Sequence, residues 1–300
     1  MKYITVIGAG TMGNGIAHVF AQFGFEVNLV DVQDEILQKA LQTIHKNAER
    51  QVKKQILTEQ QVPELMSRIH VFTQLPEALQ RADLVVEAAT EKQSLKEDIF
   101  RQMDQYAPAA AILASNTSSI SITRLAAVTN RPRQVIGMHF MNPVPVMPLV
   151  EVIQGFHTDP SVTDTIVQLS RQLGKTPCVV NDYPGFVSNR ILMPMLNEAI
   201  YTLQQGVAGV EEIDTIMKLG MGHPMGPLQL ADFIGLDVCL SILQVLHEGL
   251  GDQRYAPCPL LVKMVHAGCL GVKTGEGFYR YAAEGKEKTV NPVFQVRRTF

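Results

Sequence analysis

Six residues near the amino terminus, Gly8-Ala9-Gly10-Thr11-Met12-Gly13, narrow the possible folds more than any other stretch of this chain. They follow Tyr3-Ile4-Thr5-Val6-Ile7, an apolar run of the kind that forms a buried parallel strand. A helical pattern over residues 13–23 comes next. A second strand-like run, Glu26-Val27-Asn28-Leu29-Val30, is closed by Asp31, 18 residues after Gly13. Each part has a job in a nucleotide site. Gly8 permits a tight turn, Gly10 lets backbone approach a pyrophosphate, and Gly13 allows close packing of helix on strand. The helix start, with Thr11 and Met12, aims free N–H groups and the positive end of its dipole at that pyrophosphate. Asp31 offers acceptors to both ribose hydroxyls and repels a 2′-phosphate, and no Arg follows it closely. The site reads as one for NAD in preference to NADP. Glycine spacing alone is common in turns. Strand, helix and acid at the right distances make it specific, with FAD as the minor alternative.

Three hundred residues suit two domains, each large enough for its own core. A hydrophobic share of 46% beside 18% charged residues is that of a globular chain in water. The formal net charge of −3 gives no reason to expect a nucleic-acid partner. Cys178, Cys239, Cys258 and Cys269 form no CxxC pair and no zinc-ligand spacing with histidine. They are expected to be reduced thiols in a cytosol, with no metal. No apolar stretch is long enough to cross a bilayer, so no membrane partner is expected. Only Met1 and Lys2 precede the first strand, so neither a signal nor a transit peptide is expected ahead of it.

After Asp31 the pattern turns helical. Leu37, Leu41, Ile44, Ala48 and Val52 recur at three- and four-residue spacing in one apolar stripe, while Lys39, Lys46, Arg50, Lys53 and Lys54 gather on the opposite face. A second short helix over residues 59–68 completes an insertion, residues 33–68, that an ordinary crossover does not need. Strand-like segments at 69–72, 84–88, 111–115, 135–140, 149–153 and 176–181 then alternate with helical stretches at 92–106, 120–127 and 160–173. That is the pattern of a doubly wound α/β sheet. Its last strands, joined by the short Pro-rich link 141–148, are expected to run antiparallel.

The character changes at Asp182-Tyr183-Pro184-Gly185. Beyond it no strand is expected, and helices are predicted over residues 186–205, 210–219, 228–248 and 260–267. The fold class is α/β: a Rossmann-like doubly wound sheet over residues 1–183, then an all-α domain over 184–281. The tail, 282–300, carries Phe294 and Phe300 and receives no role. Residues 228–246 are apolar on nearly all sides and must be surrounded by protein. A small helical domain has little volume to do this alone, which predicts a subunit interface.

Hydride transfer to a nicotinamide needs a group that manages a proton. His139 ends the run Val135-Ile136-Gly137-Met138-His139-Phe140, whose carboxyl edge should face the cofactor crevice. An imidazole titrates near ~6.5 and can take and return a proton at neutral pH. Glu151 lies 12 residues on, inside an apolar strand where an unpaired acid is costly. If the link reverses the chain, the two lie side by side, as an orienting pair or as a structural ion pair. Ser115-Asn116-Thr117-Ser118-Ser119 precedes a helix, so these residues either cap it or reach substrate and nicotinamide. Asn189 opens the helical domain, facing a cleft or serving a turn. Asn142, before Pro143, suits a turn. Glu91 and Lys96 read most simply as a solvated helix start. Lys273, in Gly271-Val272-Lys273-Thr274-Gly275-Glu276-Gly277, lacks the Gly-Lys order of a phosphate loop for ATP or GTP. His18 and His223 are expected to be structural, and Met193, Met195 and Met217 to fill core or interface.

Taken in order, Gly8 to Gly13 with Asp31, Ser115-Asn116-Thr117-Ser118-Ser119, His139-Phe140-Met141-Asn142-Pro143, Glu151, Pro184-Gly185-Phe186 with Asn189-Arg190, His223-Pro224-Met225-Gly226-Pro227 and Lys273-Thr274-Gly275 with Gly277-Phe278-Tyr279 span nearly the whole chain. In this the sequence resembles the L-3-hydroxyacyl-CoA dehydrogenase family, and its short bacterial 3-hydroxybutyryl-CoA branch in particular. The resemblance implies an NAD-dependent oxidoreductase acting at C3 of an acyl-CoA. It implies that His139 is the catalytic base, Glu151 the acid that orients it, Ser118 the hydroxyl on the substrate oxygen and a neighbour of the cofactor, and Asn189 the amide that completes the set. It places Glu91, Lys96, Asn142 and Lys273 around NAD, and Asn47 and Lys54 against coenzyme A. It implies a homodimer through the helical domain.

Three positions depart from the family pattern. Met141 stands where an aromatic residue is common, Pro148 where many members have Lys, and Ser188 where the usual residue is apolar. None removes a proposed catalytic group. Two other readings stay open on sequence: the same fold acting on a free hydroxy acid or sugar acid such as L-gulonate, and an NAD-binding protein without turnover.

Overall fold

The structure, a computed structural model, describes residues 1–282 and 287–295; Phe300 lies outside them. The chain forms two compact units, Met1–Phe186 and a second from Val187 onward.

The first unit is built on one eight-stranded sheet. Its strands are β1 (Tyr3–Ile7), β2 (Glu26–Val30), β3 (Ile69–Phe72), β4 (Leu84–Glu87), β5 (Ile112–Ser115), β6 (Val135–Phe140), β7 (Leu149–Gln154) and β8 (Thr176–Asn181). They lie in the order β3-β2-β1-β4-β5-β6-β7-β8, so the winding reverses between β1 and β4. Ligands of such sheets bind at the carboxyl ends beside that reversal. Helices α1 (Thr11–Gln22), α2 (Asp34–Lys53), α3 (Gln61–Ser67), α4 (Leu75–Leu79), α5 (Gln93–Tyr106), α6 (Ile122–Ala127) and α7 (Pro160–Gln172) connect the strands. α4 is too short to leave a periodic signal, and the sequence did not announce it.

Side chains alternate along each strand, which gives the sheet two apolar layers. Leu84 and Val86 pack with Ile16, Phe20 and Ile44 on one face. Val85 packs with Ile99, Phe100 and Leu125 on the other. The expected reversal is present: β7 pairs antiparallel with β6 and parallel with β8. The link between β6 and β7 is too short for the crossover that a parallel pair requires.

The second unit packs α8 (Ser188–Gln204), α9 (Val210–Gly220), α10 (Pro227–Ile234), α11 (Leu236–Leu250) and α12 (Pro259–His266). The single helix predicted over 228–248 is two helices, bent by 96° at Gly235. Gly235 has a φ of 104°, outside any helix and open to glycine at little cost. The bend also answers the volume argument. Leu228, Leu236, Leu243 and Leu246 are buried within this unit itself, with Met193, Ile200 and Leu261. The subunit interface inferred from that stretch therefore loses its original ground.

A second difference is a short antiparallel pair, β9 (Tyr279–Tyr281) with β10 (Lys288–Val290), beyond the helices. Buried carboxylates hold it. Asp232 accepts hydrogen bonds from the Phe278 and Tyr279 amides and the Tyr281 hydroxyl, and Asp214 accepts one from the Tyr279 hydroxyl. Among the described residues no single helix is long and apolar enough to cross a membrane.

Candidate active site

The glycine loop meets three different demands. Gly8 has a φ of 95°, and a Cβ there would lie 2.7 Å from the Ala88 carbonyl oxygen. A Cβ on Gly13 would lie 1.6 Å from the Gly8 oxygen, so α1 could not approach β1. A Cβ on Gly10 would meet nothing within 4 Å. The protein itself does not require glycine at position 10, and the space beside it is open to a ligand group such as a pyrophosphate. Thr11 and Met12 open α1, whose first turn carries no acidic residue and no side-chain cap. Its N–H groups suit an anion. Asp31 holds the loop, since its Oδ2 accepts from the Ala9 amide at 2.9 Å. These features fit NAD.

A cavity of about 370 Å³ adjoins the loop, lined by Gly10, Thr11 and Asn14, by Lys39, Thr43 and Asn47 of α2, and by Asn142 to Pro145. Asn47 and Asn142 thus line one space. Lys54 is the exposed residue that caps α2 beyond that lining. The basic residues Lys39, Lys46, Arg50 and Lys53 are all exposed along the helix. Lys175, which the sequence did not single out, is buried and donates to the Val144 and Met147 carbonyls at 2.6 and 2.8 Å. It fastens the link that supplies part of the cavity wall.

The strand register brings the proton-handling groups together. In the β6–β7 pair His139 is directly opposite Glu151. Both are buried, with His139 Nδ1 2.8 Å from Glu151 Oε2. A carboxylate only accepts, so the hydrogen sits on Nδ1 and Nε2 keeps its lone pair. Ser118 Oγ lies 3.0 Å from that Nε2. Phe186 walls the imidazole, with ring centroids 6.0 Å apart and an unusual φ of 51° for a bulky residue.

The 115–119 run does not cap the helix. Ser121 caps α6, and Asp182 accepts from the Thr123 amide and the Ser121 hydroxyl. The run instead ties strand ends together. Asn116 Oδ1 accepts from the Phe140 amide at 2.8 Å, next to His139. Thr117 Oγ1 donates to Glu91 Oε1, and the Ser118 and Ser119 amides reach the same oxygen at 3.0 Å each.

Lys96 is not part of a solvated helix start, although Glu91 itself is exposed. Lys96 is 1% exposed, with its ammonium 2.7 and 2.9 Å from the Glu87 oxygens, 3.1 Å from the Ala89 carbonyl and 3.3 Å from Glu91. Four oxygens take up its three N–H groups, so Lys96 holds this loop from beneath. Burial pushes the Glu91 carboxyl up. The Lys96 charge, the Thr117 and Ser119 hydroxyls and the Ser118 amide outweigh it and hold the group below the usual carboxylate range. Glu87 was missed from sequence. Glu87 Oε2 accepts from Ser115 Oγ at 2.6 Å, and Glu87 Oε1 from the Ala89 amide at 2.7 Å. The signal was present: an acid within an apolar strand, the feature that singled out Glu151.

In the second unit Asn189 is buried in the first turn of α8. Lys273 lies in the turn Val272–Thr274 and is ion-paired with Asp237. His18 is buried, bonded through Nε2 to Gln51, and burial lowers its pKa. Among the described residues no group of side chains suits a metal ion.

Comparison with known proteins matches this chain to two family models. One is 3-hydroxyacyl-CoA dehydrogenase, NAD binding domain, over residues 3–183, and the other is 3-hydroxyacyl-CoA dehydrogenase, C-terminal domain, over 185–281. The chain is 54% identical to a probable 3-hydroxybutyryl-CoA dehydrogenase of Bacillus subtilis, over 96% of this chain and 99% of that one. It is 56% identical to 3-hydroxybutyryl-CoA dehydrogenase of Bradyrhizobium diazoefficiens, over 94% and 96%. A crystal structure of (S)-3-hydroxybutyryl-CoA dehydrogenase from Ralstonia eutropha matches with a TM-score of 0.91 at 49% identity, covering 94% of this chain and 99% of that one.

Proposed function

The chain belongs to the 3-hydroxyacyl-CoA dehydrogenase family, and from that membership we propose that it interconverts an L-3-hydroxyacyl-CoA and the 3-ketoacyl-CoA. NAD carries the hydride to and from substrate C3. The preferred pair is 3-hydroxybutyryl-CoA and acetoacetyl-CoA, a choice supported by the names of the relatives. Such a step belongs to fatty-acid β-oxidation or butanoate metabolism.

The observation that carries the chemistry is the line from Ser118 Oγ through His139 to Glu151. His139 Nε2 takes the C3 hydroxyl proton as the carbon is oxidised and returns it in reduction. Glu151 fixes the tautomer and stabilises the imidazolium. Ser118 donates to the substrate oxygen. Gly8, Gly10, Thr11, Met12, Gly13 and Asp31 bind the nucleotide. Asn142 and Asn47 act from the cavity wall, and Lys54 serves coenzyme A from the end of α2. Glu91 and Lys96 set the loop that carries Ser118 beside the cofactor. Asn189 and Lys273 take their roles, on the substrate oxygen and on NAD, from the family match alone.

The assembly proposed is a homodimer through the helical unit. The ground is different from the one the sequence suggested: Ile216 and Leu219 of α9 are 58% and 81% exposed, and Phe233 of α10 is 61% exposed. Exposed apolar side chains of that size suit contact with a second copy. The four cysteines are all free, which suits the proposed cytoplasmic location.

The deciding experiment is NADH oxidation with acetoacetyl-CoA against free keto acids. The CoA thioester should be turned over far faster. A wide margin for free acids would overturn the substrate assignment.

A further inference from the structure

His139 keeps its hydrogen on Nδ1, against Glu151, and presents Nε2 to Ser118 Oγ at 3.0 Å. A serine, an imidazole and a carboxylate so linked are the parts of an acyl-transfer triad, which is recognised by geometry and roles rather than by fold. Acyl transfer has a second requirement, a pair of donors converging on the point where the oxygen of a tetrahedral intermediate will sit. The Ser118 and Ser119 amides converge on one point, each 3.0 Å from Glu91 Oε1. The nucleophile's own amide and its successor's are thus both directed at an anionic oxygen, and that oxygen belongs to the protein.

We propose that this chain has a second, slow activity, hydrolysis of the thioester of a bound acyl-CoA through Ser118, and that Glu91 keeps it slow by filling the oxyanion position. The inference rests on the acyl-CoA reading above. In the first half-reaction a bond forms between Ser118 Oγ and the thioester carbon, and the carbon–sulfur bond breaks. The serine proton passes to His139 Nε2 and on to the departing sulfur, which leaves as the free thiol of coenzyme A. In the second half, water adds to the acyl carbon with His139 as base. The carboxylic acid leaves and Ser118 recovers its proton. Nothing is oxidised or reduced. The same loop thus explains how a site that handles thioesters leaves them intact on the timescale of hydride transfer.

Removing Glu91 need not expose an unpaired charge, because Lys96 retains Glu87 at 2.7 Å. The probe is butyryl-CoA, which has no oxygen on C3, incubated without NAD while free thiol is measured. Wild type should release thiol at least about tenfold faster than Ser118→Ala. Glu91→Ala should be faster again by about 10²- to 10³-fold, the order of effect known for one oxyanion donor. It should also show an acyl adduct on Ser118 by mass spectrometry. Glu91→Gln still places a carbonyl oxygen at the two amides and should not show the acceleration of Glu91→Ala. Competition by butyryl-CoA against acetoacetyl-CoA in NADH oxidation reports binding independently. Competition with thiol release no faster than Ser118→Ala overturns this proposal and leaves the dehydrogenase reading standing. No competition overturns both. Equal rates for wild type and a folded Glu91→Ala overturn the role given to Glu91.

Discussion

Nδ1 of His139 lies 2.8 Å from Oε2 of Glu151, and the two residues are direct partners across the only antiparallel pair in the eight-stranded sheet. Side chains directly opposite on neighbouring strands share a face, so the backbone register alone sets this contact. His139→Gln removes the base and should lower kcat by at least about 10²-fold, with NAD affinity retained. Glu151→Gln keeps the shape but can donate to Nδ1 and so favour the wrong tautomer; a loss of up to about 10⁴-fold is expected. Steady-state kinetics beside NAD titration checks both. Near-normal kcat in either variant would remove that residue from the mechanism.

Gly10 and Gly13 should separate binding from folding. Gly10→Ala adds a methyl that touches no protein atom, so the melting temperature should hold while the KM for NAD rises sharply. Gly13→Ala forces a carbon to 1.6 Å from the Gly8 oxygen and should depress stability before any kinetic question arises. Thermal melts of both variants, with and without NAD, give the comparison. Equal destabilisation of the two would contradict the geometry.

Lys96→Met should be among the more damaging changes in the first unit. It leaves Glu87 and Glu91 as neighbouring carboxylates without the cation between them. Breaking a buried pair from one side typically costs about 3–5 kcal/mol. Urea unfolding is the measurement, and a cost below about 1 kcal/mol, the range of exposed pairs, would show that Lys96 is not held as described.

Asp232 should titrate late. Burial raises its pKa to about 6, against the ordinary 3.8, despite the hydrogen bonds it accepts from Tyr279, Phe278 and Tyr281. Between those values the folded unit binds more protons than the unfolded chain. The contribution of this group to stability is therefore full below about pH 4 and declines as pH rises through 6. Carboxyl carbon NMR should show a midpoint near 6, and a midpoint near 4 would refute the assignment.

Much of this architecture was legible in the linear order of residues. Periodicity of two and of 3.6 located the strands and most helices, because each element must bury one face. The nucleotide loop was legible because Gly8 and Gly13 answer to local backbone contacts that any such turn would make. Glu151 was legible because an acid in an apolar strand needs a partner. Glu87 carried a similar signal and was overlooked, and with it the buried ion pair that turns Lys96 from an apparent surface residue into part of a scaffold.

What the chain determined by itself was the set of elements and the chemistry available at their ends. Tertiary structure decided which of those ends meet. Strand register set His139 against Glu151, the approach of the loops after β4 and β5 aimed two amides at Glu91, and the bend at Gly235 let one small unit enclose an apolar segment that the sequence assigned to a neighbour. The physical reason is the same in each case. Periodicity records whether a residue is buried, whereas its partner depends on the distances between segments far apart in the chain.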